Sequence, residues 1–131
     1  MITGGVYPKN IETSLCVSKD TVYGFMKEVL NEIMDLFPSP YIHIGGDEVN
    51  KEPWKNDSLT QQFMRKKNIK DEDALQSYFI HQMEKIINRR GRKMIGWDEI
   101  LEGGLAPDAT VMSWRGESGG VQAAKMRHKV V

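Results

Sequence analysis

Three features are missing from this chain: paired cysteines, long apolar runs and an excess of charge of one sign. Cys16 is the one cysteine among 131 residues, which excludes an intrachain disulfide and a cysteine metal cluster. No stretch approaches the roughly 20 apolar residues of a membrane span. The 18 basic residues balance the 18 acidic ones, so no net charge favours DNA, RNA or an anionic membrane as a partner. Small or neutral ligands fit better.

The composition is that of one globular domain. With 40% hydrophobic and 27% charged residues, the chain can build one core but not two. Residues 1–5 lack the basic start and apolar centre of a secretory leader, so the chain as written is expected to stay in the cytoplasm. A longer parent could carry a leader and be exported to the periplasm, the extracellular space or a lysosome. The basic run at residues 89–93 is expected to cap a helix C-terminus.

Apolar residues three and four positions apart predict two long amphipathic helices. The first spans about residues 20–37 and has Ser18 or Asp20 as its cap. The second follows Asp71 as a cap and ends at Gly91, which suits a left-handed conformation. Shorter helices are predicted near residues 59–64 and after residue 119. A polar loop is expected before the first of these, up to about residue 58.

Short apolar segments between the helices predict buried strands at residues 41–44, 93–96 and 110–114. A fourth strand begins at residues 130–131. Helices that alternate with such strands indicate parallel strands joined by crossovers, and hence an α/β fold.

The first strand ends in two glycines and two adjacent carboxylates, His-Ile-Gly-Gly-Asp-Glu at residues 43–48. The glycines permit a sharp turn. Neighbouring carboxyls repel each other's ionisation, so one of Asp47 and Glu48 is expected to hold its proton while the other stays anionic. That pair would supply an acid and an anion. The alternative is that one of them caps a helix or lies in a solvated turn.

The other two strands also end in polar and aromatic residues, with Trp97 followed by Asp98-Glu99 and Trp114 followed by Arg115. In a β/α barrel the carboxyl ends of the strands form the active-site face. We therefore expect these groups to share a cleft with the carboxylate pair. Tryptophans that plug a barrel mouth are the alternative.

These motifs resemble glycoside hydrolase family 20, the β-N-acetylhexosaminidases. The acid motif at residues 43–49, Gly-Trp-Asp-Glu at 96–99, Ser-Trp-Arg-Gly at 113–116, Leu-Phe-Pro-Ser at 36–39 and Trp54 all match the family, from about Leu15 to the C-terminus. The family fold is a (β/α)8 TIM barrel of about 250 residues. The resemblance implies that this chain is a single partial catalytic barrel domain, with strands four to six, their helices, and traces of strands three and seven.

The resemblance implies retaining, substrate-assisted hydrolysis of a terminal β-N-acetylhexosamine on a glycan. Glu48 would be the general acid and later the base, and Asp47 would accept the N–H of the 2-acetamido group. Trp97 and Trp114 would enclose the acetamido methyl and stack on the ring, and Trp54 would contact the leaving-group sugar. An oxazolinium-like intermediate would follow.

The remaining polar residues receive secondary roles. His43 is expected either to contact substrate or to satisfy a buried hydrogen bond behind the carboxylates. No second histidine stands at ligand spacing, so we expect neither a metal nor a cofactor. Asp98 and Glu99 are expected to orient loops or Trp97, and Arg115 to pair with a carboxylate.

Two expectations concern the chain alone. The arginine that the family places on strand one and a later tyrosine are absent, so the isolated chain is expected to be inactive or very weak. Open barrel edges are expected to cause self-association. The competing interpretation is a non-catalytic glycan-binding module or a structural fragment, although the intact carboxylate pair disfavours a retired enzyme.

Overall fold

Three parallel strands form the centre of the structure, a computed structural model that describes residues 14–131. They are β1 (Tyr41–His43), β2 (Lys93–Trp97) and β3 (Thr110–Met112), in the order β1-β2-β3. Both pairs are parallel. The predicted strands and the α/β class are therefore confirmed, because each crossover between them contains a helix or helical turn.

The C-terminus extends the sheet as predicted. Val130 forms a parallel bridge with Val111, and the Val131 N–H donates to the Val111 carbonyl at 2.9 Å. The trace of an earlier barrel strand, predicted at the start of the chain, lies outside the described residues.

Five α-helices and one short 3-10 helix flank the strands in the described part of the chain. They are α1 (Asp20–Leu36), α2 (Glu52–Asn56), α3 (Ser58–Lys67), α4 (Glu72–Arg89), the 3-10 helix Asp98–Leu101 and α5 (Glu117–Lys125). The prediction of a continuous polar loop up to residue 58 was wrong, because α2 lies within it. None of the described helices is long and apolar enough to cross a membrane.

The predicted cap residues are correct for α4 and wrong for α1. The Asp71 carboxylate accepts a hydrogen bond from the Ala74 N–H at 2.8 Å, and Gly91 has φ +68°, so both predictions for α4 are confirmed. The cap of α1 was wrong, because Lys19 occupies the cap position without a side-chain bond. The Ser18 hydroxyl instead lies 3.2 Å from the Thr60 hydroxyl. A contact with a distant residue therefore determines the position of this side chain, not the local sequence.

The basic run contacts the C-terminal end of a helix, as expected, and that helix is α1. Arg92 donates to the carbonyls of Met34, at 3.3 Å, and Ser39. Arg90 pairs with Asp35 at the last turn of α1. Cations at this position suit the carbonyl end of α1, so the run ties the two long helices together.

The core lies between the sheet and the two long helices. Its buried side chains come from both helices and all three strands: Leu30, Met34, Ile42, Ile80, Met83, Ile87, Met94 and Val111. A second buried cluster contains Val17, Trp54, Met64 and Leu75. It packs α2 and α3 against the start of α4, beside the loop that follows β1.

Candidate active site

The backbone turns sharply after β1. Gly45, Gly46 and Glu48 have φ of +72°, +97° and +46°, a left-handed region that side chains adopt at a cost. The Gly45 carbonyl accepts a hydrogen bond from the Trp97 N–H at 2.9 Å, and the Gly46 carbonyl accepts one from the Gln76 amide at 2.8 Å. The turn that carries the carboxylates is thus held by β2 on one side and α4 on the other.

Glycine at Gly46 and Gly96 also allows a close approach. A Cβ at either position would lie 2.7 Å from Cγ2 of Ile100, closer than side-chain carbons come. Ile100 is fully buried in the 3-10 helix. The ends of β1 and β2 therefore rest directly on one isoleucine, below the groups that the cleft presents.

Asp47 and Glu48 both lie exposed after this turn. They line one cavity of about 520 Å³ beside β1 and α1, together with His43. Glu48 also lines a second, polar cleft of about 320 Å³, which Trp114 shares. Glu48 therefore borders both cavities.

His43 makes a local hydrogen bond rather than the buried one that was expected. Its side chain is exposed, and Nδ1 accepts the Gly45 N–H at 3.1 Å. The imidazole packs edge-on against Trp97, with 4.7 Å between ring centroids. Partial burial lowers the pKa of His43, an effect that the Asp47 carboxylate opposes. The ring therefore supports both the glycine turn and Trp97.

Trp97 and Trp114 form a corner at the ends of β2 and β3. Their ring centroids are 6.2 Å apart and their planes are inclined by 63°. Trp114 is 49% exposed, while Trp97 is partly buried between His43 and Trp114. The structure thus brings the predicted groups of all three strands to one end of the sheet.

Trp54 occupies a different position from the other two tryptophans. It is 4% exposed, and its indole N–H donates to the Leu15 carbonyl at 2.9 Å. Only part of its surface lines the larger cavity. Its main contacts are with the second core cluster, so a substrate contact stays a prediction that its burial does not favour.

A network of charged groups borders the polar cleft. Arg115 contacts Asp98 at 3.3 Å, Glu99 at 3.6 Å and Glu102 at 3.2 Å, which confirms its predicted pairing with carboxylates. Glu102 also contacts Lys51 at 3.2 Å. No group of three or more potential metal ligands occurs in residues 14–131.

Glu99 forms a hydrogen bond with Trp114, whereas the expectation for this residue was that it orients a loop or Trp97. Its Oε2 accepts the Trp114 indole N–H at 3.0 Å. Sequence reasoning also missed Gln76, Lys51 and Glu102. For Gln76 the signal was an amide at helical spacing among the apolar residues of α4. No local pattern distinguishes Lys51 or Glu102.

Comparisons with known proteins agree with this geometry. A family model described as the catalytic domain of glycosyl hydrolase family 20 matches residues 3–131, beginning earlier than the expected residue 15. The chain is 58% identical over 116 residues to a β-hexosaminidase of Porphyromonas gingivalis, covering 88% of the chain and 15% of that relative. It is 34% identical to β-hexosaminidase subunit beta of Homo sapiens, covering 73% of the chain and 18% of the subunit.

Solved structures give the same result. The chitobiase of Flavobacterium johnsoniae superposes with a TM-score of 0.83 at 35% identity, over 92% of this chain and 19% of that one. An exo-β-N-acetylglucosaminidase of Vibrio harveyi in complex with N-acetylglucosamine superposes with a TM-score of 0.82 at 30% identity, over 90% and 19%. The chain spans between 15% and 19% of the length of these four proteins.

Proposed function

The chain belongs to glycoside hydrolase family 20, and from this premise we propose that it carries the acid and acetamido-orienting residues of an exo-acting β-N-acetylhexosaminidase. Its substrate would be a glycan with terminal N-acetylglucosamine or N-acetylgalactosamine. One observation carries the proposal: Asp47 and Glu48 lie at the same end of the sheet as Trp97 and Trp114, and Glu48 lines a cleft with Trp114.

Glu48 is the proposed general acid and base. It donates its proton to the glycosidic oxygen while the carbonyl oxygen of the substrate's 2-acetamido group attacks the anomeric carbon, so the glycosidic bond breaks and an oxazolinium ion forms. Glu48, now a carboxylate, takes a proton from the water that opens this ring. The exposed position of Glu48 suits both steps, because the leaving sugar and the water must each reach it.

Asp47 and the aromatic corner orient the acetamido group in this proposal. The Asp47 carboxylate accepts its N–H and balances the positive charge of the intermediate. The indole faces of Trp97 and Trp114 enclose its methyl, a task that apolar surfaces at 63° can perform from two sides. His43 supports the Trp97 indole through its ring contact and does not touch the acetamido group in this proposal.

The chain supplies part of a barrel in this proposal, with β1, β2 and β3 as strands four to six of eight. Polar groups that hold the sugar hydroxyls in the family lie on other strands. We therefore expect the chain alone to turn over substrate very weakly or not at all.

A chimera tests the proposed chemistry. The segment of the Porphyromonas gingivalis β-hexosaminidase that aligns with this chain is replaced by this chain, and hydrolysis of a chromogenic N-acetyl-β-glucosaminide is measured. Glu48→Gln should lower kcat by about 10²–10⁴-fold, since general acid catalysis is lost. Asp47→Asn should lower it by about 10²-fold, because the nucleophile is misplaced. Glu28→Gln, at an exposed position on α1, is the matched control.

Equal rates in the parent chimera and the two site variants would exclude catalysis by this pair. A parent chimera that binds N-acetylglucosamine without turnover would support the glycan-binding alternative instead.

We also propose that the isolated chain self-associates through β1. Among the described residues β1 has a strand on one side alone, and the cavity along its other side is lined by apolar residues of α1 such as Ile33. A second copy would cover this surface. Light scattering should show a mass that rises with concentration, and Ile33→Lys should reduce it more than Leu59→Lys, an exposed site on α3. A strictly monomeric parent chain would refute the proposal.

A further inference from the structure

We propose that Glu99 is a positioning residue that fixes the plane of the Trp114 indole and so sets the shape of the aromatic corner. The inference rests on the proposed function for what the corner binds, but its geometry stands independently. Glu99 borders the polar cleft beside Trp114 but is only 6% exposed, so its role is exerted through the Trp114 indole.

The indole of Trp114 has few constraints. Within residues 14–131 it makes one side-chain hydrogen bond, to Glu99, and one ring contact, with Trp97. Half of its surface is exposed, so packing alone does not select one rotamer. A hydrogen bond to a carboxylate is stronger than one to a neutral acceptor, and here the acceptor is anchored in a buried turn. Glu99 therefore decides which face of Trp114 the cleft presents.

A buried carboxylate needs a compensating cation, and Arg115 supplies it. The guanidinium lies 3.6 Å from Glu99 Oε1, which leaves Oε2 for the indole. Arg115 is held in turn by Glu102, which also contacts Lys51 at 3.2 Å. Lys51 follows Glu48 by three positions. The charged network thus connects the loop of the proposed acid to the tryptophan that faces it across the cleft.

If Glu99 only stabilised the fold through its ion pair, its replacement would not specifically change the solvent exchange of the Trp114 indole N–H. Glu102 offers the matched comparison, because it contacts the same arginine at 3.2 Å without touching Trp114. Glu102→Gln removes the same charge from the network. A difference between the two positions at the indole therefore reports positioning and not stability.

Solvent exchange of the indole protons in the whole chain tests the inference. The 15N-labelled chain has three indole N–H signals, and the Trp114 signal is identified by its loss in Trp114→Phe. Glu99→Met should accelerate exchange of this proton about tenfold or more, as expected for loss of a charged hydrogen bond. Glu99→Gln keeps an acceptor oxygen and should give an intermediate rate, whereas Glu102→Gln should leave the rate within twofold.

The Trp54 N–H, bonded to Leu15, is the internal reference and should not change in any variant. If Glu99→Met loses that reference signal because the chain unfolds, the comparison of Glu99→Gln with Glu102→Gln decides. Equal Trp114 exchange in those two variants, or in Glu99→Met and the parent, would overturn the proposal. The readout needs no turnover, so its failure is distinct from a failure of the chimera assay.

Discussion

Adding one methyl group at Gly96 tests whether the strand ends rest on Ile100. The new Cβ would lie 2.7 Å from Cγ2 and 3.0 Å from Cδ1 of Ile100, and 3.1 Å from the Gly45 carbonyl oxygen. Gly96 does not have a left-handed backbone, so the cost is steric. Overpacking of this kind costs about 1–3 kcal/mol. We expect Gly96→Ala to lower the free energy of unfolding by that amount.

The second substitution removes the clashing atoms. Ile100→Ala alone should cost about 2–5 kcal/mol, because a fully buried side chain leaves a cavity. In the double variant the new methyl group at position 96 has room. The double variant should therefore lose about 1–2 kcal/mol less stability than the sum of the two single losses. The approach to the Gly45 carbonyl persists, which limits the recovery.

Urea unfolding followed by far-ultraviolet circular dichroism measures all four chains of this cycle. The slope of the free energy against urea should be the same in each, which shows that the native states are equally compact. Gly24→Ala is the control, because a Cβ there meets nothing within 4 Å and α1 should gain about 0.5–1 kcal/mol. Strictly additive costs, or a Gly96→Ala variant as stable as the parent, would refute the packing that we describe.

Three further predictions follow from buried or bonded polar groups. Burial raises the pKa of Glu84 above 4.5, although the hydrogen bond from the Asp108 N–H opposes this shift. The stability that protonated Glu84 allows is therefore lost as pH rises through the pKa of the folded state. In urea unfolding, Glu84→Gln should stabilise the chain more at pH 8 than at pH 4. Proton NMR should give His43 a pKa below 6.5, and Asp47→Asn should lower it further because the opposing charge is gone; an upward shift would contradict this. Gln76→Leu should cost about 1–3 kcal/mol in the same unfolding assay, since the Gly46 carbonyl loses its partner, and an unchanged midpoint would count against that bond.

The parallel strands and their active end could be predicted because local signals agree there. Alternation of apolar strands and helices fixes the class, and parallel strands bring their carboxyl ends together. The positions of Asp47, Glu48, Trp97 and Trp114 follow from that rule. Their side-chain orientations do not, because the partner of Trp114, Glu99, lies in the 3-10 helix, fifteen positions earlier in the chain.

Features decided by tertiary contacts escaped prediction. The short helix α2 has too few residues to show a helical apolar period. Its one buried residue is Trp54, which packs it against the rest of the chain. The resemblance assigned Trp54 a contact with the leaving-group sugar, and its burial was not foreseen because its hydrogen-bond partner, Leu15, stands 39 positions earlier in the chain. The cap of α1 failed for the same reason. Local pattern specifies elements, whereas distant contacts decide which polar groups they use.

The inclined pair of indoles at the cleft has an optical consequence. We expect two tryptophans with centroids 6.2 Å apart and planes at 63° to couple their excited states and to give paired circular dichroism bands of opposite sign. Phenylalanine at either Trp97 or Trp114 should abolish this pair of bands, whereas Trp54, which lies in the other buried cluster, should not be needed for it. The cleft thus contains its own spectroscopic label, which reports the relative orientation of two strand ends without any bound ligand.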